Sequence, residues 1–241
     1  MAKTTNENID SSSSQIGIQF NAAISVDCVI FGYDKHDLKV LLVKSDMPIY
    51  KDKYSLLGDL LRQDENTDQS AIRVLEKHTG LSGLYMKQVC TFSNVDRHPE
   101  GRVITVAYYS LVQLNEDLEK LILHNPNLKW EKVSDIVELA FDHILVFEKC
   151  LKKLRYGLRE KPIGFNLLPE KFTLKQLQNL YESVLDIEID KRNFRRKLKS
   201  INLLVDVNEN ETDVSHRPAK LYSFDKSRYS TKKKKGFNFE L

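Results

Sequence analysis

The chain has 241 residues, of which 41 % are hydrophobic and 29 % are charged, which is ordinary for a globular protein. No apolar run approaches the ~18 residues of a membrane helix, and residues 1–15 lack the apolar segment of a secretion signal. The three cysteines are scattered and form no metal-binding pattern. We therefore expect a cytoplasmic protein with reduced thiols. The net charge of +3 is unevenly distributed: residues 1–160 carry 20 basic and 23 acidic side chains and residues 161–241 carry 17 and 11, so a nucleic-acid-binding unit is expected at the C-terminal end.

Residues 16–158 alternate between predicted strands and helices. Strands are predicted where apolar, β-branched and aromatic residues cluster, at residues 21–33, 39–44, 85–92, 103–114 and 130–133. Two helices are predicted from apolar residues spaced three and four apart, one over 67–79 with Gly80 as its stop and one over 142–158. The apolar side of the second helix is assigned to Ile144, Leu145, Phe147, Leu151 and Leu154.

The first helix lies within GDLLRQDENTDQSAIRVLEKHTGL, residues 58–81. This stretch resembles the signature of the Nudix family, in which a Gly, five residues, a Glu and seven residues precede Arg-Glu-apolar-x-Glu-Glu-x-Gly-apolar. The positions that match are Glu65, Arg73, Leu75, Gly80 and Leu81. In the family, the first Glu and the Arg form a structural salt bridge, so the resemblance implies that the scaffold half of the motif is present.

The acidic half of that motif is missing. Val74, Lys77 and His78 stand at the three later Glu positions, and Asp59 stands at the Gly position. Hydrolysis of a diphosphate needs Mg²⁺, which takes hard oxygen ligands, mostly carboxylates and water. The three positions share one helix face, but Val offers no ligand, Lys repels the ion, and neutral His is a poor ligand for it. We therefore predict no catalytic residue, no bound metal and no cofactor.

Two further stretches sharpen the resemblance. NVDRHPEGRVITVAY at 94–108 is similar to the strand-loop-strand of ADP-ribose-type Nudix proteins, and IVELAFDH at 136–143 is similar to the segment before the last helix in Nudix-related transcriptional regulators. The most specific similarity to those regulators is IGFNLLPEKFTLKQLQNLYESVLDIEIDKRNFRRKL at 163–198, and the whole resemblance covers about residues 16–229.

This resemblance implies an effector site in the Nudix-like domain. The effectors known in the family are sugars such as arabinose or NAD-derived compounds such as ADP-ribose. Candidate effector contacts are Asp59, Asp96, Arg97 and Arg102. For each of them, a surface charge or a subunit contact remains the alternative.

The C-terminal region has the pattern of a winged helix-turn-helix. Thr173 caps a predicted helix whose apolar stripe is Leu174, Leu177, Leu180, Tyr181 and Val184. Asp190 caps a second helix, KRNFRRKLKSIN, and strands at 203–205 and 219–224 enclose a polar loop at 206–218. The second helix can lie in the major groove with its first residues on base edges, where Arg suits guanine and Asn suits adenine.

The candidate DNA contacts are basic or amide side chains on the second helix and the wing. They are Lys191, Arg192, Asn193, Arg196 and Lys197 on the helix and His216, Arg217 and Lys220 at the wing. A solvated basic face is the alternative, and Arg195 or Arg196 can serve the fold instead. For the lysine-rich tail at 232–237, both unspecific attraction to phosphates and a solubilising role remain open.

The sequence thus predicts an α/β protein with an N-terminal Nudix α/β/α sandwich over 16–158 and a winged helix-turn-helix over 159–229, flanked by disordered tails at 1–15 and 230–241. The leading hypothesis is a catalytically inactive, ligand-responsive transcriptional regulator, homodimeric because two-fold operators match two-fold proteins. Its partners are double-stranded DNA and a sugar or ADP-ribose-like effector, with no membrane partner. The alternatives are a Nudix hydrolase acting on ADP-ribose-like nucleoside diphosphates and a nucleic-acid-binding scaffold without an effector.

Overall fold

A seven-stranded mixed sheet organises the N-terminal part of the chain. In the computed structural model, which describes residues 21–212 and 217–236, its strands are β1 (Ala23–Tyr33), β2 (Leu38–Lys44), β3 (Tyr54–Ser55), β4 (Leu57–Leu60), β5 (Tyr85–Phe92), β6 (Val103–Gln113) and β7 (Leu128–Lys132). The order β3-β2-β1-β6-β5 puts β1 and β6 side by side in parallel, while β4 pairs antiparallel with β1 and β7 antiparallel with β2. The long central strands are buried because both faces of the sheet are covered.

Helices cover the two faces of this sheet. On one face α1 (Thr67–Thr79) and α2 (Glu116–Leu123) enclose a core with β1 and β6, and on the other face α3 (His143–Glu160) packs against Phe31 and Tyr109. The predicted α/β/α sandwich is therefore confirmed. None of the helices in the described part of the chain combines the length and the apolar character that crossing a bilayer requires.

Local signals define α1 at both ends. The side chain of Asn66 accepts from the backbone N–H of Gln69, and the Gln69 side chain accepts from the N–H of Asn66, which is a capping box. Gly80, with a φ of 67°, takes the left-handed conformation that ends the helix. The predicted bounds of 67–79 are confirmed, because each end depends on neighbouring residues alone.

Several predicted details are wrong. Helix α2 was not predicted, although Asn115 caps it and Leu118 and Ile122 are buried one turn apart. Leu145, assigned to the apolar side of α3, is exposed, while Val146 and Cys150 take its place in the core. The side chains that a helix buries depend on where the sheet lies, and the neighbouring Leu145 and Val146 can exchange roles with a small rotation of the helix.

The C-terminal part forms the predicted winged helix-turn-helix. Its elements are β8 (Phe172–Thr173), α4 (Leu174–Leu185), α5 (Lys191–Ile201), β9 (Leu204–Asn210), β10 (Lys220–Phe224) and α6 (Lys226–Lys234), with the strands in the order β8-β10-β9. Thr173 forms a capping box with Gln176, and the Asp190 side chain accepts from the N–H of Asn193, so both predicted caps are confirmed.

Two predictions for this part need correction. Strand β9 continues to Asn210, so the predicted polar loop at 206–218 begins five residues later, where antiparallel pairing with β10 ends. The tail predicted to be disordered from residue 230 is helical as far as Lys234, because α6 is fastened to the end of α5. The tail predicted for residues 1–15, residues 237–241 of the other tail and His216 at the wing lie outside the described residues.

The two parts share one hydrophobic core. The core on the α3 face of the large sheet continues through Leu158 and Ile163 into Leu180 and Tyr181 of α4. Contact is close at Gly164, where an added Cβ would lie 2.6 Å from Cδ1 of Leu158. Polar contacts add to this packing, since the N–H of Leu38 donates to Oγ of Ser183 at 3.0 Å. The winged helix is thus packed against the C-terminal end of α3.

Because of this packing, Gly164→Ala should lower the free energy of unfolding by about 1–3 kcal/mol, the usual cost of overpacking a core. Leu158→Ala removes the methyl group that the new Cβ would meet, so in that background Gly164→Ala should cost far less. Urea unfolding of the four proteins in this cycle measures the coupling. An equal cost in both backgrounds would show that the contact does not fix the junction.

Candidate functional site

A cleft of about 950 Å³ opens in the Nudix-like domain. Its walls come from β1, β4, the end of α1, the loop 97–102 before β6 and the start of α3, and it is lined by both charged and aromatic side chains. The volume is in the range of cofactor and metabolite pockets. Within the described part of the chain, no group of His, Cys, Asp or Glu side chains is arranged to hold a metal ion.

Arg73 joins the loop before α1 to the helix itself. Its guanidinium donates to both carboxylate oxygens of Glu65, at 2.9 and 2.5 Å, to Oδ2 of Asp59 at 2.7 Å and to the carbonyl of Leu60 at 3.1 Å. The hydrogen bond from Arg73 lowers the pKa of Glu65 to about 2. Burial raises the pKa of Asp59, but the hydrogen bonds from Arg73 and the N–H of Leu60, together with the charges of Lys77 and Arg73, outweigh it and the pKa is lowered. The scaffold half of the signature is therefore intact, with Asp59 as an added partner.

The residues at the former acid positions do not fit a magnesium ion. Val74 is fully buried in the core beneath α1 and offers no ligand. Lys77 points its ammonium to within 3.8 Å of Oδ2 of Asp59, so a positive charge stands beside the carboxylate nearest to the site. Burial and the charge of Lys77 lower the pKa of His78, which lines the cleft in its neutral form at pH 7. Glu76 is exposed and does not line the cleft.

A buried pair of polar side chains forms part of the cleft wall. The backbone N–H of Leu56 donates to Nδ1 of His143 at 3.0 Å, so Nδ1 is the unprotonated ring nitrogen when His143 is neutral. Nε2 then carries the proton and lies 3.2 Å from Oδ2 of Asp27. The N–H of Nε2 does not point at Oδ2 as a hydrogen bond requires, and Oδ2 accepts no hydrogen bond from the described part of the chain. Oδ2 has almost no exposed surface, so the Asp27–His143 pair belongs to the structure of the wall.

Arg97 anchors the start of α3 to the same wall. Its Nε donates to Oδ2 of Asp142 at 2.9 Å and its Nη2 to Oδ1 at 2.6 Å, which is a bidentate pair. A third bond from Nη1 reaches the hydroxyl of Thr105, which also bonds the hydroxyl of Ser25 at 2.6 Å. Only 4 % of the Arg97 side chain is exposed. Asp142 is the residue that precedes α3, so this pair ties the start of the helix to the cleft wall.

Aromatic rings gather at one side of the cleft. The imidazole of His98 stacks on Phe141 with ring centroids 5.1 Å apart, and Tyr50 lies against the same ring at 4.6 Å. Phe141 has a φ of 56°, in the left-handed region that bulky residues rarely adopt. Backbone strain of this kind is retained where the surroundings require it and is often found at binding sites. A flat ring is thus presented at the cleft.

The structure brings together three of the four predicted effector contacts. Asp59, Arg97 and Arg102 line the cleft, whereas Asp96 is exposed and lies outside the lining. Arg97 and Arg102 also have structural partners, Asp142 for the first and the carbonyls of Ser93 and Asn94 for the second. The sequence analysis missed Asp27, His98, Phe141 and His143. An acid within the apolar strand β1 was the one local signal available, and it pointed to Asp27.

A second candidate surface lies on α5. Phe194, Leu198 and Ile201 are buried, and the remaining side chains of the helix are exposed. All five predicted contacts on this helix, Lys191, Arg192, Asn193, Arg196 and Lys197, lie on the exposed face. Arg196 donates to the side-chain oxygen of Asn193 at 2.8 Å, which holds the two in one orientation.

The two candidate DNA contacts described at the wing differ from each other. Arg217 is exposed, while Lys220 forms an ion pair of 2.8 Å with Asp206 on the neighbouring strand. The wing is therefore less basic than the sequence suggested.

Comparison with known proteins agrees with this architecture. Residues 164–224 match the NrtR DNA-binding winged helix domain. The ADPR responsive transcriptional repressor NtrR of Acinetobacter baylyi is 30 % identical over 205 residues, 83 % of this chain and 81 % of that protein. The crystal structure of Shewanella oneidensis NrtR complexed with a 27mer DNA superposes with a TM-score of 0.77 at 30 % identity, over 90 % of this chain and 99 % of that one. The ADP-ribose pyrophosphatase of Methanocaldococcus jannaschii is 25 % identical over 140 residues, 56 % of this chain and 74 % of that protein.

A Nudix-type domain whose signature helix has exchanged its acids, joined to a winged helix with a basic exposed helix, defines a Nudix-related DNA-binding transcriptional regulator. The chain belongs to the NrtR family of such regulators.

The salt bridge at Arg73 gives a pH-dependent prediction. The folded-state pKa of Glu65 is about 2, below its ordinary value of 4.5, so its contribution to stability is present above pH 4.5 and is lost as the pH falls toward 2. Glu65→Gln should therefore destabilise the protein at neutral pH, and the difference from the parent should shrink through that interval. Urea unfolding at several pH values measures it. Glu76→Gln, an exposed change on the same helix, is the control, and a gap for Glu65→Gln that stays constant down to pH 3 would contradict the assignment.

Proposed function

We propose that the chain is a repressor whose Nudix-type domain binds ADP-ribose and so alters the affinity of the winged helix for DNA. The single observation that carries this proposal is a large cleft with aromatic and polar walls in a domain whose metal positions hold Val74, Lys77 and His78. The Acinetobacter baylyi relative, described as ADPR responsive, supports the choice of effector.

The chemistry of ADP-ribose suits the cleft better than that of a simple sugar. The adenine ring needs a flat partner, which the stacked rings of His98 and Phe141 offer. The diphosphate needs positive charge, and Lys44 and Lys77 both line the cleft. The ribose hydroxyls need acceptors, and the carboxylate of Asp59 lines the cleft. A pentose alone would use only a small part of the 950 Å³.

The proposal includes binding without cleavage. A hydrolase needs a metal to neutralise the diphosphate and to activate water, and the cleft offers Lys77 where a metal-binding carboxylate would stand. A lysine can neutralise part of the phosphate charge but cannot activate water as a metal ion does. ADP-ribose would therefore remain intact as a signal. The alternative, a Nudix hydrolase, draws support from the similarity to the Methanocaldococcus jannaschii pyrophosphatase.

Helix α3 is the proposed route from the cleft to the DNA-binding domain. Its N-terminal end is held in the cleft wall by the pair of Arg97 with Asp142 and by His143. Near its C-terminal end, Nε of Arg155 donates to the carbonyl of Val184 in α4 at 2.8 Å. A diphosphate that draws Arg97 away from Asp142 would free the start of α3, and the helix would carry that displacement to α4.

We further propose a homodimer that acts in the cytoplasm. A two-fold protein suits a two-fold operator, since each recognition helix then reads one half-site. The three cysteines are free thiols, as expected in a reducing compartment.

The effector proposal is tested at Phe141. ADP-ribose should release the parent protein from a duplex taken from its own promoter, measured by fluorescence anisotropy, and the nucleotide should be recovered intact. Phe141→Ala removes the stacking partner, which is worth about 1–3 kcal/mol for a base on an aromatic ring, so the concentration needed for release should rise about tenfold or more. DNA affinity without effector should not change.

Val137→Ala is the matched control, because Val137 is 88 % exposed in the segment before α3 and lines no part of this cleft. A parent that ignores ADP-ribose would refute the proposed effector, and a parent that hydrolyses it in Mg²⁺ at the ~1 s⁻¹ or more of ordinary enzymes would favour the hydrolase. Equal responses from the parent and Phe141→Ala would place the adenine elsewhere.

The DNA-binding proposal is tested on α5. Arg192 and Asn193 lie in its first turn and outside its buried stripe, so each can be changed to Ala without unfolding the domain. Loss of a base contact should cost about 1–3 kcal/mol and relax sequence preference. Loss of Lys197, proposed as a phosphate contact, should weaken binding to all sequences alike and lower its salt dependence. If Arg192→Ala and Asn193→Ala both retain parental affinity and selectivity, α5 is not the recognition helix.

A further inference from the structure

Helix α6 lies beyond the segment that matches the family's winged-helix domain, which ends at residue 224. Its sequence, KSRYSTKKK, has no apolar face and is only 9 residues long, so it would not be stable as an isolated helix. Tertiary contacts must therefore hold it in place.

Several of those contacts attach α6 to the end of α5 and the residues that follow it. The ammonium of Lys232 donates to the carbonyl of Ile201 at 2.6 Å, and Nη1 of Arg228 donates to the side-chain oxygen of Asn202 at 3.1 Å. The N–H of Asp225 donates to the carbonyl of Leu203 at 2.9 Å, and Tyr229 packs on the small core around Ile201. The last carbonyls of α5 carry partial negative charge, so a lysine at this point also satisfies the helix terminus.

Three lysines of this segment take no part in the attachment to α5. Lys233, Lys234 and Lys235 are exposed, and they form no ion pair or hydrogen bond through their side chains with the described part of the chain. The wing differs in this respect, because Lys220 is paired with Asp206, and Lys171 on the strand side is paired with Glu209. The three lysines follow directly on Lys232, whose ammonium contacts the last residue of α5, so they lie close to the C-terminal end of that helix.

We propose that Lys233, Lys234 and Lys235 form a binding site for DNA phosphates that extends the recognition surface of α5. In the homeodomain variant of the helix-turn-helix, the recognition helix reads the bases and its other, C-terminal end contacts the sugar-phosphate backbone, and the end of α5 is placed here in the same way. Because Lys232 fixes α6 at that other end, the next three lysines reach phosphates beside the bases that α5 reads. This fixed placement distinguishes them from a flexible basic tail.

The site should act on affinity and not on sequence preference. Each phosphate that a lysine neutralises releases condensed counterions and contributes about −0.9 to the slope of log affinity against log salt concentration. Three such contacts make the slope steeper by about 2–3. The proposal rests on DNA binding through α5, which is itself part of the proposed function.

The test is the triple change Lys233→Gln, Lys234→Gln and Lys235→Gln in the full chain, with Lys232 kept as the anchor. Binding to a promoter duplex and to a scrambled duplex of the same composition is measured by anisotropy at about 50 to 200 mM salt. We expect a slope that is shallower by about 2–3 for both duplexes, with the ratio of the two affinities unchanged. The melting temperature should equal that of the parent.

Two controls separate charge from structure. A variant with Gln at Lys87, Lys149 and Lys152, all exposed on the Nudix-like domain, loses the same charge and should keep the parental slope. A variant with Arg at positions 233 to 235 retains charge and should also keep it. The proposal would be overturned if the Gln variant of α6 kept the parental salt slope. It would also be overturned if the Arg variant or the Nudix-domain variant lost as much of the slope as the Gln variant of α6. A parent that binds neither duplex would instead refute the proposed function.

Discussion

The buried guanidinium of Arg97 is the constraint on which the arrangement of the two domains depends. A charge that is almost completely buried must be paired, because leaving it alone costs several kcal/mol. Asp142, the residue before α3, supplies the pairing in bidentate form. The start of α3 is therefore fixed in the cleft, and its rigid length determines where Leu158 and Ile163 meet the winged helix. The pair thus lies at the candidate ligand cleft and is connected to the domain junction through the length of α3.

The cleft combines an intact scaffold around Arg73 with residues that do not suit a magnesium ion at the family's acid positions. The loop before α1 is still fastened by Arg73, and Asp59 has joined that network at a position where the family signature has a Gly. Hydrogen-bonding groups such as Asp59 and flat surfaces such as Phe141 line the space. Recognition needs only this complementarity, whereas hydrolysis also needs an activated water.

The sequence predicted those parts of the structure that depend on neighbouring residues. Helix α1 was bounded correctly because Asn66, Gln69 and Gly80 act within a few positions of its ends. The fold class followed from the signature and from the periodicity of strands and helices. The wall of the cleft did not follow, because Asp27 and His143 are far apart in sequence and meet only when the sheet has formed. Helix α6 was missed for the same physical reason, since its stability comes from α5 and not from its own residues.

The position of Val74 leaves no room for a metal-binding carboxylate at that point of α1. Its side chain is completely enclosed among Ala71, Leu75 and residues of β1, so this position has been taken over by the folding of the domain. A glutamate restored there would place an ionised group in an apolar setting with no partner, at a considerable cost in stability. Acids introduced at positions 77 and 78 alone would still leave the third carboxylate of the family signature missing. Packing at this one position therefore limits which ligands α1 can offer to the cleft.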